Sequence, residues 1–140
     1  MSIHVEHYKE GMTAYGKGDN PAAIAAFQKA LDAKPEWTEA MHGLALACLH
    51  DGQVDRAIEV GLAIAEIDKG DPFVHTSLSI FYQRKSQVAE KAGDEPEAKK
   101  YIKLAEEEGA KARLLSWKIE LKTNPNAAPP GPADGMRVID

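Results

Sequence analysis

Cysteine is nearly absent from this sequence: its 140 residues contain one, Cys48. A single cysteine excludes an internal disulfide and any metal site built from several cysteines, and it favours a reducing compartment. Residues 1–7 contain no apolar segment of the length found in signal peptides, and no stretch is apolar enough to span a bilayer. We therefore expect a cytoplasmic protein without membrane contact, unless a signal has been removed from the chain.

Basic runs and catalytic motifs are also scarce. The net charge is −5 and no basic run is long enough to follow a phosphate backbone, so nucleic acid is not expected as a partner. His4 and His7 form a conceivable metal pair, but a solvated helix end is the favoured interpretation. His75 lies beside Ser77 and Ser79 on a predicted helix, where residues two apart do not face each other. No cofactor, metal or catalytic residue is therefore predicted.

Glycine and proline are grouped at a few positions, in an order typical of helix boundaries. Residues 18–21 (Gly-Asp-Asn-Pro) and 93–96 (Gly-Asp-Glu-Pro) each contain a glycine that ends one helix, a polar cap and a proline in the first turn of the next. No segment alternates between apolar and polar residues over the length of a strand, so no sheet is predicted. Six helices are predicted, at about residues 3–16, 20–33, 37–51, 54–68, 72–92 and 96–122.

Two segments of the chain, 18–31 and 52–65, repeat each other at the spacing of about 34 residues that is typical of stacked helix–turn–helix units. The repeated residues are Gly18, Ala23, Ile24 and Leu31, followed by Gly52, Ala57, Ile58 and Ala65. Further positions match the tetratricopeptide pattern. They are Gly11, Phe27, Ala30 and Pro35 in the first unit, Leu44 and Ala45 in the second, where Gly61 occupies the aromatic position, and Leu78, Ser79 and Tyr82 in the third. The sequence therefore resembles the tetratricopeptide repeat family, although His7, Met41 and His75 stand where the family has tryptophan.

The resemblance implies an all-α fold, a tetratricopeptide-type helical-repeat solenoid of three helix-turn-helix units formed by residues 1–123. The third hairpin is predicted to be longer than the others. The Ala-x-x-x-Gly sequence of residues 57–61 recurs at 105–109, whereas a regular repeat would place it at 91–95. Seven extra residues on each arm are two helical turns and keep the apolar face in phase. Residues 85–92 and 97–104 should therefore be antiparallel helices.

The last predicted helix carries small and apolar residues at spacings of four and three, which let a neighbouring helix approach closely. They are Ala98, Ile102, Ala105, Gly109, Ala112, Ser116 and Ile119. We expect this helix to extend as a C-terminal cap on the open end of the repeat. A surface for a partner or for self-association is the alternative. Residues 124–140 lack an apolar pattern and are predicted to form a disordered, proline-rich C-terminal tail.

In proteins of the resembled family, ligands lie along a concave groove lined by the first helix of each unit. The corresponding positions are Val5, Tyr8, Met12 and Tyr15 in the first helix, Glu39, His42, Leu46 and Leu49 in the third, and Phe73, Thr76, Ile80, Gln83 and Arg84 in the fifth. Tyr8, Tyr15 and Phe73 fit aromatic anchors for a peptide. For Leu46 and Ile80, packing between neighbouring helices is the alternative interpretation.

The predicted function is that of a non-catalytic interaction module, an adaptor or scaffold that binds a peptide or protein segment in the groove. The family's clamp for the carboxylate ends of chaperone tails is disfavoured, because Tyr8, Met12 and Gly43 occupy three of its positions. The chain's own tail, with Val138 and Ile139 near its end, is one candidate ligand. The alternative is a structural protein that forms a homo-oligomer through the long hairpin or the capping helix. A metal-binding protein or an enzyme is less favoured.

Overall fold

A computed structural model describes residues 2–131 of the chain, and within this range the regular structure is entirely helical. The helices are α1 (Ile3–Gly16), α2 (Asn20–Ala33), α3 (Thr38–His50), α4 (Val54–Ile67), α5 (Pro72–Lys91) and α6 (Glu95–Leu121). The predicted all-α class and the six helices are confirmed, and each predicted boundary lies within one residue of the observed one. The chain divides into two compact units, Met1–Ile67 with α1 to α4 and Asp68–Asp140 with α5 and α6.

The helix boundaries follow from local chemistry at the hairpin tips. The carboxylates of Asp19 and Asp94 each accept a hydrogen bond from the backbone N–H three residues later, at 3.2 Å in both cases. Such a bond satisfies one of the amides that have no partner in the first turn of a helix. Gly18 and Gly93 precede these caps with φ values of 80° and 79°, in the left-handed region that glycine adopts without a steric penalty. The tips predicted from the sequence are therefore present.

The core of the first unit is built around Phe27 of α2, whose side chain is completely buried. Two helical glycines approach its ring: a Cβ atom added to Gly11 of α1 would lie 2.7 Å from the ring, and one added to Gly43 of α3 would lie 2.6 Å from it. Both distances are shorter than any ordinary carbon–carbon contact, so the absence of a side chain at these positions is what admits the ring. Ala23 and Ala57, which occupy equivalent positions of the two repeated segments, are also fully buried.

The second unit is one long antiparallel hairpin. Two serine hydroxyls of α5 donate hydrogen bonds to backbone carbonyls of α6, Ser79 to Ala105 at 2.9 Å and Ser86 to Ala98 at 2.8 Å. Later residues of α5 thus pair with earlier residues of α6, as an antiparallel arrangement requires. Helix α5 has 20 residues and α6 has 27 residues, so both predicted extensions of this hairpin are confirmed.

After α6 the chain turns back on itself. The amide of Asn124 donates to the carbonyl of Glu120 at 2.8 Å, and the indole N–H of Trp117 donates to the carbonyl of Ala127 at 3.0 Å. The domain limit at residue 123, the disorder of the tail and the capping role of α6 stay predictions. The end of the tail, including Val138 and Ile139, lies outside the described residues.

Candidate protein-binding surfaces

Ring contacts at both ends of helices α1 and α3 of the first unit show that the two helices lie side by side. At one end, Trp37 contacts His4 edge to face with 5.0 Å between ring centroids, and Tyr8 with 4.9 Å. At the other end, Tyr15 contacts His50 at 5.7 Å. The first contacts join the N-terminal ends of α1 and α3, and the last joins their C-terminal ends. The two helices therefore run parallel. The surface that the two helices share, which we call the α1–α3 face, is the one predicted to contain Tyr8, Met12, Tyr15, Glu39, His42 and Leu46.

The predicted residues of the α1–α3 face differ in how much of each side chain a ligand could reach. Met12 is 47% exposed and Glu39 is exposed, whereas the other four are half-buried. Tyr8 packs against Phe27 at 5.8 Å as well as against Trp37, so part of its ring is committed to the core. Leu49 is 3% exposed and is a core residue. Met12 is therefore the apolar side chain of this face that is most available to a partner.

Helix α5 presents the remaining predicted residues, which we call the α5 face: Phe73, Thr76, Ile80, Gln83 and Arg84. All five are exposed and follow one another at helical spacing. Phe73 is 56% exposed and Ile80 is 48% exposed, so Ile80 does not have the burial expected of a packing residue. Gln83 donates a hydrogen bond to the Ser79 hydroxyl at 3.3 Å. The α1–α3 face and the α5 face belong to different compact units.

Sequence reasoning missed Trp37, which organises one end of the α1–α3 face. Its ring contacts His4 and Tyr8, and the ammonium group of Lys34 lies 5.1 Å from its centroid, within the range of a cation–π interaction. Trp37 stands one helical turn before Met41, the position at which the family has tryptophan. A search that allowed a shift of one turn would have placed the ring on this face.

The second unit contains a buried polar group that sequence reasoning also missed. The imidazole Nδ1 of His75 lies 2.7 Å from Oε1 of Glu108, and the two side chains are 12% and 8% exposed. Nζ of Lys111 donates to the other carboxylate oxygen at 3.0 Å. Burial raises the pKa of the Tyr82 hydroxyl, and the negative charge of Glu108 adds to this effect. The signal in the sequence was Glu108, which stands three residues after Ala105, a residue of the predicted packing stripe that is buried in the structure.

This polar group pairs α5 with α6 through the hydrogen bond between His75 and Glu108. The neighbouring hydroxyl, that of Ser79, donates to a backbone carbonyl and not to His75. Burying a carboxylate requires a charged or hydrogen-bonded partner, which His75 and Lys111 supply to Glu108. Within residues 2–131, no three histidine, cysteine or carboxylate side chains are grouped closely enough to hold a metal ion.

The helices of this chain form hairpins that repeat after about 34 residues. Such hairpins define the class of helical-repeat proteins. The sequence model described as "Tetratricopeptide repeat" matches residues 8–72. Residues 8–72 are thus identified as tetratricopeptide repeats, which confirms the resemblance drawn from the sequence.

Two curated relatives share the name Photosystem I assembly protein Ycf3. The protein of Synechococcus sp. (strain CC9605) is 23% identical over 99 residues, which are 69% of this chain and 57% of that protein. The protein of Parasynechococcus marenigrum (strain WH8102) is 21% identical over 122 residues, 85% of this chain and 66% of that protein. This chain therefore spans about three fifths of the length of the relatives it matches.

A chain of the solved CopN-Scc3 complex has a similar fold. The TM-score is 0.58 and the identity 22%, and the match covers 76% of this chain and 58% of that chain. At this identity the likeness concerns the fold alone. Among the described helices, none combines the length and the apolar composition that crossing a membrane requires.

Proposed function

We propose that this protein is a non-catalytic adaptor, and that the α1–α3 face of the first unit and the α5 face of the second are each a surface for a segment of another protein. The observation that carries the proposal is the exposure of large apolar side chains, Met12, Phe73 and Ile80, at positions where proteins of this family hold their ligands. The names of the similar proteins support a role of this kind, since the relatives are called assembly proteins and the structural neighbour belongs to a complex. The identity of 21–23% is too low to transfer a particular complex to this chain.

The chemistry of the α5 face favours a ligand with apolar side chains and an acidic group, and that of the α1–α3 face favours a ligand with apolar side chains. Met12, Phe73 and Ile80 are each about half exposed, and covering the rest of such a side chain contributes roughly 1 kcal/mol. The guanidinium of Arg84 supplies a charged donor for a carboxylate. Ordering a flexible segment opposes these gains, so binding of moderate affinity is expected.

The test is capture of a partner from an extract of the source organism, followed by titration of the purified partner. Met12→Glu places a charge at the predicted contact and should weaken binding at least tenfold. Leu62→Glu on α4 is the matched control, because Leu62 is 45% exposed against 47% for Met12 and lies outside both faces. The proposal is refuted if the control variant loses the partner while Met12→Glu and Phe73→Glu retain it.

The chain's own tail is a candidate ligand whose contact residues lie outside the described part of the structure. A synthetic peptide of residues 131–140, added to a chain that ends at residue 130, should shift the amide NMR signals of α1, α3 and α5. Unshifted signals would leave an external partner as the ligand. The cytoplasmic location is part of the same proposal.

A further inference from the structure

An open groove runs along the second unit between α5 and α6, and we call it the hairpin groove. Its floor is made of small residues that are buried or half-buried: Ser79, Ser86, Ala98, Ala105 and Gly109. The two serine hydroxyls donate to backbone carbonyls, so they have no proton left for a ligand. The groove shares Gln83 with the α5 face, and the two surfaces therefore adjoin.

The chain that follows α6 returns along the side of this helix that lines the hairpin groove. The carbonyl of Ala127 accepts a hydrogen bond from the indole N–H of Trp117 at 3.0 Å, so the chain has already come back past the end of α6. Gly109 and Arg113 line the groove, and Trp117 continues their row at the same spacing of four residues. Residues at this spacing lie on one face of a helix. The returning chain thus runs antiparallel to α6 toward the groove.

Burial in the returning segment follows a period of three residues. Ala127 and Pro130 are half-buried, whereas Ala128, Pro129 and Gly131 are exposed. A segment rich in proline favours the polyproline II conformation, which has three residues per turn. One edge of such a segment, the edge of Ala127 and Pro130, therefore packs against the protein.

The sequence continues this edge beyond the described residues. The next positions at a spacing of three are all apolar: Ala133, Met136 and Ile139. The charged residues of residues 132–140 fall together on another edge: Asp134, Arg137 and Asp140. A polyproline II segment with this sequence has one apolar edge for the floor of a groove and one charged edge for its rim.

The apolar edge also matches the floor of the groove in length. A polyproline II chain rises about 3.1 Å per residue, which places Ala133 about 19 Å and Met136 about 28 Å beyond Ala127. Along α6, at 1.5 Å per residue, Ala105 lies about 18 Å and Ala98 about 29 Å from Trp117. Each apolar side chain of the tail is therefore level with an alanine of the floor.

The same path pairs opposite charges. Asp134 is about 22 Å beyond Ala127, level with Lys103, which is about 21 Å from Trp117. Arg137 is about 31 Å beyond Ala127, close to the level of Glu95 at about 33 Å. Lys99 lies one turn from Glu95, but Glu90 of α5 lines the same end of the groove, so the two carboxylates outnumber the ammonium group there.

We propose that the hairpin groove binds residues 132–140 of the same chain, extended and antiparallel to α6, with Ala133, Met136 and Ile139 against the floor. Because the tail is tethered at Ala127, its effective concentration at the groove is high and modest contacts are sufficient to hold it. The inference goes beyond the proposed adaptor function: a tail in the hairpin groove leaves the α1–α3 face to another protein.

A nitroxide spin label at the end of the tail measures its path in the full chain. Asp140→Cys supplies the attachment site, and the native Cys48 is buried and therefore protected from the reagent. We expect the label to broaden the amide NMR signals of Glu90 and Glu95 most strongly and those next to Arg113 least. A tail outside the groove stays near its attachment at Trp117 and gives the reverse gradient along α6.

Two substitutions in the tail distinguish its edges. Met136→Glu places a charge on the apolar edge and should abolish the gradient. Val138→Glu is the matched control, because it adds the same charge two residues later on a different edge and should retain the gradient. Arg137→Glu should reduce the broadening at Glu95 at least twofold, and Glu95→Lys in the same chain should recover part of it, since the swapped charges attract again.

A mixture of isotope-labelled chains without the nitroxide and unlabelled chains that carry it tests whether the tail binds its own chain, and no broadening is expected. Broadening in this mixture would assign the groove to the tail of a second copy and overturn the inference. It is also overturned if the gradient is absent or reversed, if signals of α1 and α3 broaden instead, or if Met136→Glu and Val138→Glu act alike. The capture experiment on Met12 and Phe73 does not depend on these outcomes, so the two proposals fail separately.

Discussion

Replacement of Gly43 by alanine tests whether Phe27 is fixed between α1 and α3. The added methyl would lie 2.6 Å from the ring, and ordinary carbon–carbon contacts are about 3.5–4.0 Å, so the ring or the helix must move by about 1 Å. The ring is fully buried, and Gly11 approaches it as closely from α1. Movement away from α3 is therefore restricted, and the substitution forces a rearrangement of the core.

Two opposing effects set the size of the change. Overpacking of a buried contact costs about 1–3 kcal/mol. Alanine is a better helix former than glycine by about 1 kcal/mol, which offsets part of that cost. Gly16→Ala is the matched control, because Gly16 is also in a helix but has no atom within 4 Å of its added Cβ. We expect Gly43→Ala to be less stable than Gly16→Ala by roughly 1–3 kcal/mol.

Urea denaturation followed by circular dichroism and tryptophan fluorescence measures this difference. A double-mutant cycle identifies its cause. Phe27→Leu removes the aromatic edge, so Gly43→Ala should cost less in that background, with a coupling of about 1 kcal/mol or more. If Gly43→Ala is as stable as Gly16→Ala, or if the two changes are additive, the close packing of Phe27 against α3 is refuted.

Two further predictions concern single side chains. The raised pKa of Tyr82 means that folding favours its neutral hydroxyl, so the free energy of unfolding should fall as pH rises above about 10 and through the folded-state pKa. Tyr82→Phe should reduce this decline in urea titrations. Tyr101→Phe keeps Tyr82 and removes only the smallest of the effects on its pKa, so it should retain most of the decline; equal declines in both would contradict the assignment. Glu36 has a φ of 63°, where a side chain costs about 1–2 kcal/mol, so Glu36→Gly should raise the free energy of unfolding by up to about 1 kcal/mol. Glu36→Ala keeps the strain and should give no gain, and a destabilised Glu36→Gly would show that the strain is not relieved.

The sequence alone determined the helices and their order, because the signals for helix ends are local. The aspartate of each cap acts on an amide three residues away, and the glycine of each tip acts through its own φ value. These effects do not depend on how the rest of the chain packs. The predicted boundaries therefore agree with the structure to within one residue. The repeat predicted that α5 pairs with α6, and the displaced Ala-x-x-x-Gly sequence predicted that this hairpin is longer than the others.

Only the tertiary structure decided which side chains meet across the helices. His75 and Glu108 are 33 residues apart in the chain, and Trp37 reaches its partners on α1 across the whole of α2. The same holds for Phe27 and the two glycines that admit its ring. Whether such residues touch depends on the distance between helices and on side-chain rotamers, which the packing of all neighbours sets together. The family resemblance predicted a face for Met12 and Ile80, but the exposure of a helix face depends on what packs against it.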